Sequence, residues 1–236
     1  MPSGLSLTFK PTHCNPYPET GYFIHMSSCI LCRGNETSVV FEGEPFTCLA
    51  CPDCGLHFAN PEERLRPEVE KKRYDQHQND PADPDYRDFL NQLFEPLNNH
   101  LPPNCFGLDF GSGPGPALHL MFEEAGHRMS IFDPFYANKP SVLNLRYDFI
   151  TATETVEHLF RPREEFEMLW KILKPGGYLG IMTLLLSDPD SFDSWFYRRD
   201  DTHVAFYQKK TFEWLAHHLG AKAEFISGRV IILKKK

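Results

Sequence analysis

The chain has no apolar run long enough to cross a membrane. Its longest, around residues 179–186, falls far short of the about 20 residues that a spanning helix needs. It also lacks the apolar stretch of a signal peptide, because Pro, His, Asn and Glu interrupt residues 1–26 throughout. Basic side chains are in deficit: 24 Lys and Arg face 32 Asp and Glu, for a formal net charge of −8. That balance argues against a protein held to nucleic acid by a general basic surface, since neutralising phosphates takes clustered cations. An even cysteine count is missing too. There are seven, so a pure disulfide framework would leave one thiol over. These absences predict a cytoplasmic chain with no membrane partner. What is plentiful is Pro and Phe, 20 each in 236 residues, a length that suits one well-buried core with a small appendage.

Five of the cysteines lie close together. Cys29-x2-Cys32 and Cys51-x2-Cys54, separated by eighteen residues, have the spacing of a four-thiolate zinc site. Two residues between cysteines make a tight turn that points both sulfurs inward, and two such turns complete a tetrahedron. Thr37 to Phe41 and Phe46-Thr47 read as the strands of a hairpin turning at Glu42-Gly43-Glu44, and Gly55 frees the backbone to curl round the ion. Four thiolates close the site, so its zinc is expected to be structural, and so small a module cannot fold without it. Cys48 offers a second knuckle with Cys51; a strand-borne free thiol is the preferred reading. Cys14 and Cys105 have no partner at metal spacing and read as a disordered and a core thiol.

The expected division is a disordered lead-in at 1–27, with Met26 as an alternative start, a zinc ribbon at 28–60, a linker and packing helix at 61–103, and the main domain at 104–236. In the linker, Tyr86, Phe89, Leu90, Leu93, Phe94 and Leu97 recur at helical spacing, Asp83-Pro84 supplies the cap and first turn, and Pro96 is expected to kink or end the helix. The segment Arg73 to His77 reads either as a cover for a ligand cleft or as a solvated loop.

From Cys105 the pattern becomes strand, glycine loop, helix, strand, acid: Phe106 to Phe110, Gly111-Ser112-Gly113-Pro114-Gly115, a helix to Ala125, then Met129 to Phe132 ending at Asp133. The third glycine of a dinucleotide fingerprint is replaced by Pro116, so the loop suits a ligand without a pyrophosphate. Strands at 147–153 and 178–186, helices at 161–173 and 211–219, and a closing hairpin around Ser227-Gly228 predict a doubly wound α/β sheet.

Residues 104–234 resemble a class I S-adenosylmethionine-dependent methyltransferase. The resemblance rests on Leu108 to Gly115, on Asp133, on Tyr147-Asp148-Phe149-Ile150 leading to Glu154-x2-Glu157-His158, and on Leu173 to Gly177. The ribbon, with Cys51-x2-Cys54-Gly55-Leu56, is similar to one found in a bacterial subgroup of these enzymes. The resemblance implies a Rossmann-like sheet with a reversed last strand. It implies that Gly111, Ser112, Gly113 and Gly115 lie against the methionine part of the cofactor, that Asp109 orients its amino group or a water, and that Asp133 binds the ribose hydroxyls. A helix-capping acid is the alternative for Asp133. Thr153 and Glu154 would line the crevice, or Glu154 would serve a helix N-terminus. The family's usual helix and strand between Asp133 and Asp148 are cut short, with Val142 to Leu145 as a remnant of that strand.

Two histidines are candidate general bases: His158, expected to share a helical face with Glu154, and His203, in the segment over the substrate pocket. For both, a structural role is the alternative. Trp195, Phe196, Tyr197, Phe206 and Tyr207 either sandwich a planar acceptor or simply pack the lid. No Asp-Pro-Pro-Tyr motif is present and no cysteine stands where a pyrimidine nucleophile belongs. The expectation is methyl transfer to a small molecule or metabolite. The alternatives are an RNA or protein methyltransferase recognising its target through the ribbon and the cations Arg64, Arg66, Lys71, Lys72 and Arg73, or a non-catalytic cofactor-binding or zinc-mediated interaction protein.

Overall fold

The computed structural model describes residues 27–76 and 79–236, so Cys14, His77 and all of the expected lead-in except Ser27 lie outside it. The chain opens with a small antiparallel sheet of β1 (Ser38–Phe41), β2 (Cys48–Ala50) and β3 (His57–Ala59). The second strand begins at Cys48, two residues later than the spacing suggests. The linker holds two helices, α1 (Pro67–Tyr74) and α2 (Pro84–Asn98). The Asp83 side chain accepts the Asp85 N–H and caps α2, as expected. Pro96 neither kinks the chain out of α2 nor ends it there. The helix runs on to Asn98 because Leu93 and Leu97 are fully buried and hold the last turn in place.

The main sheet follows: β4 (Phe106–Phe110), α3 (Leu118–Glu124), β5 (Arg128–Phe132), β6 (Tyr147–Thr153), α4 (Pro162–Ile172) and β7 (Leu173–Met182). A two-residue strand β8 (Ala205–Phe206) joins the small sheet, while α5 (Lys209–Leu219), β9 (Ala221–Phe225) and β10 (Val230–Lys235) complete the large one. The order is β5-β4-β6-β7-β10-β9. The first four strands are parallel, and β10 enters antiparallel to both its neighbours. This is the expected doubly wound Rossmann-like sheet with a reversed last strand. Residues 174–177 bulge out of register before β7 rejoins β6 at Tyr178, which is where a turn was expected. Pro140–Asn144 is a 3-10 helix with Val142 buried, so the expected strand remnant at Val142 to Leu145 is not a strand.

Alternate residues of the sheet serve two cores, as the two-residue period of a strand requires. Phe149, Val230 and Ile232 pack with Leu90, Leu93, Leu97 and Phe122 beneath α2 and α3. Ile150, Ile231 and Leu233 pack with Phe166, Leu169, Phe212 and Leu215 beneath α4 and α5. Gly180 lets α2 come close, since a Cβ there would lie 2.8 Å from Leu97 Cδ2. Cys29, Leu31, Cys51, Leu56 and Phe58 belong to the same buried cluster as Phe166 and Phe212, so the small sheet shares a core with the large one. β3 also pairs with β8, and Gln208 Nε2 donates to the Gly55 carbonyl at 2.6 Å.

Candidate active site

One wall is built at the carboxyl ends of β4 and β5, where open parallel sheets receive ligands. Gly111 has φ +75° and Gly113 φ +65°, which only glycine adopts at no steric cost. A Cβ on Gly111 would lie 2.2 Å from Thr155 Cγ2, while a Cβ on Gly113 would meet nothing within 4 Å. Ser112 Oγ is buried with no hydrogen-bond partner. Asp109 is buried, accepts the Thr151 hydroxyl at 2.7 Å, and burial pushes its carboxyl up to about 6. Asp133 accepts the N–H groups of Phe135 and Tyr136 on Oδ1 and of Gly113 on Oδ2, so it caps a turn and ties the glycine loop to β5.

The opposite wall begins where β6 ends. Glu154 has φ +45°, a strained backbone for a non-glycine residue. It is held there by its N–H on the Met182 carbonyl at 2.8 Å and by Arg229 at 3.1 Å. The next turn, Val156–His158, is 3-10. Glu154 and His158 therefore share no helical face, contrary to expectation, because the reversal at Glu154 ends the regular backbone. Glu157 is fully buried. Tyr197 donates its hydroxyl to Glu157 Oε1, while Oε2 has no partner. Burial raises both Glu154 and Glu157 well above the usual carboxylate range, and the charge of Glu157 adds to the effect on Glu154. His158 Nδ1 lies 3.0 Å from the Thr202 carbonyl and His203 Nδ1 2.7 Å from the Tyr197 carbonyl. Since a carbonyl only accepts, each Nδ1 donates, and Nε2 carries the ring lone pair in the neutral form. Burial lowers the pKa of His158, favouring that neutral form.

Between the walls lies a cavity of about 830 Å³. Glu70 and Tyr74 of α1, Asn79 and Tyr86 cover it, and Tyr74 donates to Glu70 at 2.7 Å. Of the segment Arg73 to His77, Tyr74 lines the cleft. Among the described residues, seven carboxylates line the cavity (Glu70, Asp109, Asp133, Glu154, Glu157, Glu165, Asp200) and no Lys or Arg does.

The sulfurs of Cys29, Cys32, Cys51 and Cys54 lie within 4.8 Å of one another, with Cys29 to Cys54 at 3.6 Å and Cys32 to Cys51 at 3.3 Å. A tetrahedral zinc with about 2.3 Å bonds needs sulfurs about 3.8 Å apart. Burial pushes the Cys32 thiol up to about 12, and a cation would offset the mutual repulsion of four thiolates so close together. Cys48 is buried on β2 outside the cluster, and Cys105 is a buried thiol donating to the Pro102 carbonyl.

A family model described as a methyltransferase domain matches residues 74–224. The chain belongs to this methyltransferase family. No curated protein matches the sequence of this methyltransferase. Among solved structures, the 1,6-didemethyltoxoflavin N1-methyltransferase of Burkholderia thailandensis, with 1,6-didemethyltoxoflavin and S-adenosylhomocysteine bound, is similar over 85% of this chain and 99% of its own, at 13% identity and a TM-score of 0.51. A SAM-dependent methyltransferase from Archaeoglobus fulgidus is similar over 63% of this chain and 94% of its own, at 20% identity and a TM-score of 0.48. At 13% identity, the likeness to the Burkholderia enzyme bears on the fold alone. Family and fold together make the chain an S-adenosylmethionine-dependent methyltransferase.

Of the site residues expected from the sequence, Asp109, Gly111, Ser112, Gly113, Asp133, Thr153, Glu154, His158 and His203 all line the methyltransferase cavity. Gly115 does not. A Cβ there would lie 1.8 Å from the Asn79 carbonyl, so this glycine admits the covering segment. Sequence reasoning left out Glu157, which stood in the quoted Glu-x2-Glu-His motif but lacked an assigned role. It also left out Glu70, which no local pattern links to the cavity, and it named Tyr197 for its ring without assigning its hydroxyl a role.

Proposed function

We propose that this methyltransferase moves a methyl group from S-adenosylmethionine to a neutral or cationic small molecule, with a zinc-bound ribbon holding the lid of the acceptor pocket. The cavity between the glycine loop and the two histidines carries this reading. At about 830 Å³ it is in the upper range of small-molecule pockets, with room for a cofactor and a small acceptor. The residues fit the cofactor: Gly113 leaves open space, Ser112 Oγ and Thr153 Oγ1 are buried without partners, and Asp109 offers a carboxylate to an ammonium group. Asp133 keeps one of about four acceptor sites beyond its three backbone bonds, enough for a ribose hydroxyl. When bound, the sulfonium supplies an activated methyl, and the chain's part is to orient the acceptor and exclude water.

The ribbon reaches the acceptor wall through the backbone. Ala59 N–H donates to the Val204 carbonyl, and Val204 N–H donates to that of Glu157. Zinc at Cys29, Cys32, Cys51 and Cys54 would keep this connection in place. Target recognition of RNA or protein has less support. The Arg64 guanidinium lies against the Phe160 ring and carbonyl, Lys71 pairs with Asp75 and Arg73 with Asp201, so the linker cations are largely engaged. A cavity walled by carboxylates also repels phosphodiesters.

A labelled-methyl transfer screen against cell extract, separated into small molecules, RNA and protein, tests the reading. Label in the small-molecule fraction is expected, and label confined to RNA or protein would overturn it. Calorimetry with S-adenosylmethionine should show binding that Asp133→Ala weakens at least tenfold; an unchanged affinity would remove Asp133 from the cofactor site.

A further inference from the structure

Glu157, His158 and His203 each present one ligand atom such that the three lie within 4.8 Å of one another. Their surroundings are those of metal ligands. Ligating histidines characteristically donate their other ring N–H to a carbonyl or carboxylate, which fixes the tautomer and aims the lone pair. Both histidines do this, His158 to Thr202 and His203 to Tyr197. Glu157 is held in the same manner: Tyr197 engages Oε1, and Oε2 is left fully buried with no hydrogen-bond partner. A buried carboxylate oxygen without a donor is costly unless a cation meets it. Tyr197 thus fixes both Glu157 through its hydroxyl and His203 through its carbonyl. The wider cavity is lined by carboxylates and has no lysine or arginine among its described lining residues.

We propose that His158, His203 and Glu157 form a site for a divalent transition-metal ion facing the acceptor side of the cavity. Two imidazoles and one carboxylate suit ions such as zinc, manganese or iron(II), and three protein ligands leave positions open. Those positions take an oxygen of the acceptor, which makes the substrate class an oxygen-bearing small molecule and relieves the repulsion between an oxyanion and the surrounding carboxylates. This assignment deepens the methyltransferase reading and rests on it for the identity of the acceptor side. It is separate from the four-cysteine cluster, whose soft thiolates favour zinc over manganese.

That difference in softness provides the test. Manganese(II) is titrated into the full-length protein, and free ion is counted by its electron paramagnetic resonance signal. One bound ion per chain is expected in the wild type. His158→Gln and His203→Gln should each weaken binding at least tenfold, with calorimetry for S-adenosylmethionine serving as the check that the variants fold. A wild type that takes up no manganese, or two variants that bind it as the wild type does, would overturn the site. If the protein binds S-adenosylmethionine but no manganese, the ion site alone fails. If it binds no S-adenosylmethionine, the cofactor reading itself fails.

Discussion

Asp109 couples protonation to both stability and cofactor binding. Its carboxyl is fully enclosed at the end of β4, and burial raises it from 3.8 to about 6, against the opposing Thr151 hydroxyl bond. The folded chain therefore binds more protons than the unfolded chain between these two values. The neutral acid contributes its full stability below about pH 4, and that contribution is lost as pH rises through about 6. At about 1.4 kcal/mol per pH unit, the loss amounts to about 3 kcal/mol. Asp109→Asn keeps an acceptor for Thr151 and removes the titration. Without cofactor, the variant should match the wild type near pH 4 and exceed it by up to about 3 kcal/mol at pH 8, read from urea melts at each pH. Binding runs the other way. An ammonium group beside Asp109 favours the carboxylate, so wild-type affinity for S-adenosylmethionine should fall about tenfold between pH 7.5 and pH 5, while the variant binds weakly with a flatter profile. A difference between the two proteins' stabilities that stays constant within about 0.5 kcal/mol from pH 4 to 8 would refute the burial argument.

Three further outcomes follow from the packing. Gly111→Ala should destabilise by about 2–4 kcal/mol in urea melts, combining about 1–2 kcal/mol for the left-handed backbone with crowding against Thr155; adding Thr155→Ala should recover part of the crowding and none of the backbone cost. Leu97→Ala should cost about 2–5 kcal/mol by opening a cavity between α2 and the sheet, yet leave cofactor affinity within about twofold, because Leu97 does not line the active-site cavity. Cys54→Ser should release the ribbon's zinc on metal analysis and open residues 183–207 to limited proteolysis, since Phe46, Cys48 and Ala59 share a buried cluster with Phe192, Val204 and Phe206. Unchanged proteolysis of a zinc-free variant would separate the ribbon from the lid.

Much of this arrangement was legible from local pattern. The glycine loop, the acid after β5 and the knuckle spacing are short-range features whose chemistry requires fixed residue types. The helical period of α2 survived a proline because burial of Leu93 and Leu97 outweighs one missing N–H so close to the helix end. What stayed hidden depends on distant residues. Nothing near Glu154 in the chain announces that Arg229 and Met182 will hold it in a left-handed turn, so a helix was expected where the backbone reverses. Gly115 looked like part of the ligand loop because its close neighbour, Asn79, is 36 residues away in sequence. Glu157 gains its meaning only from Tyr197 and the two histidines, which the lid brings over it.

The pairing of β3 with β8 has a consequence for biosynthesis. His57 and Phe58 align with Phe206 and Ala205, so the last strand of the ribbon acquires its outer neighbour only after about 150 more residues have been made. As the chain leaves the ribosome, its first module can take up metal and yet expose a bare strand edge and the apolar side chains of Leu56 and Phe58. That edge stays open to wrong partners until the last third of the chain arrives. Closing so long a loop is a slow, late event. The acceptor wall therefore waits on late-made residues, and premature termination anywhere before Ala205 leaves a product with an unshielded edge.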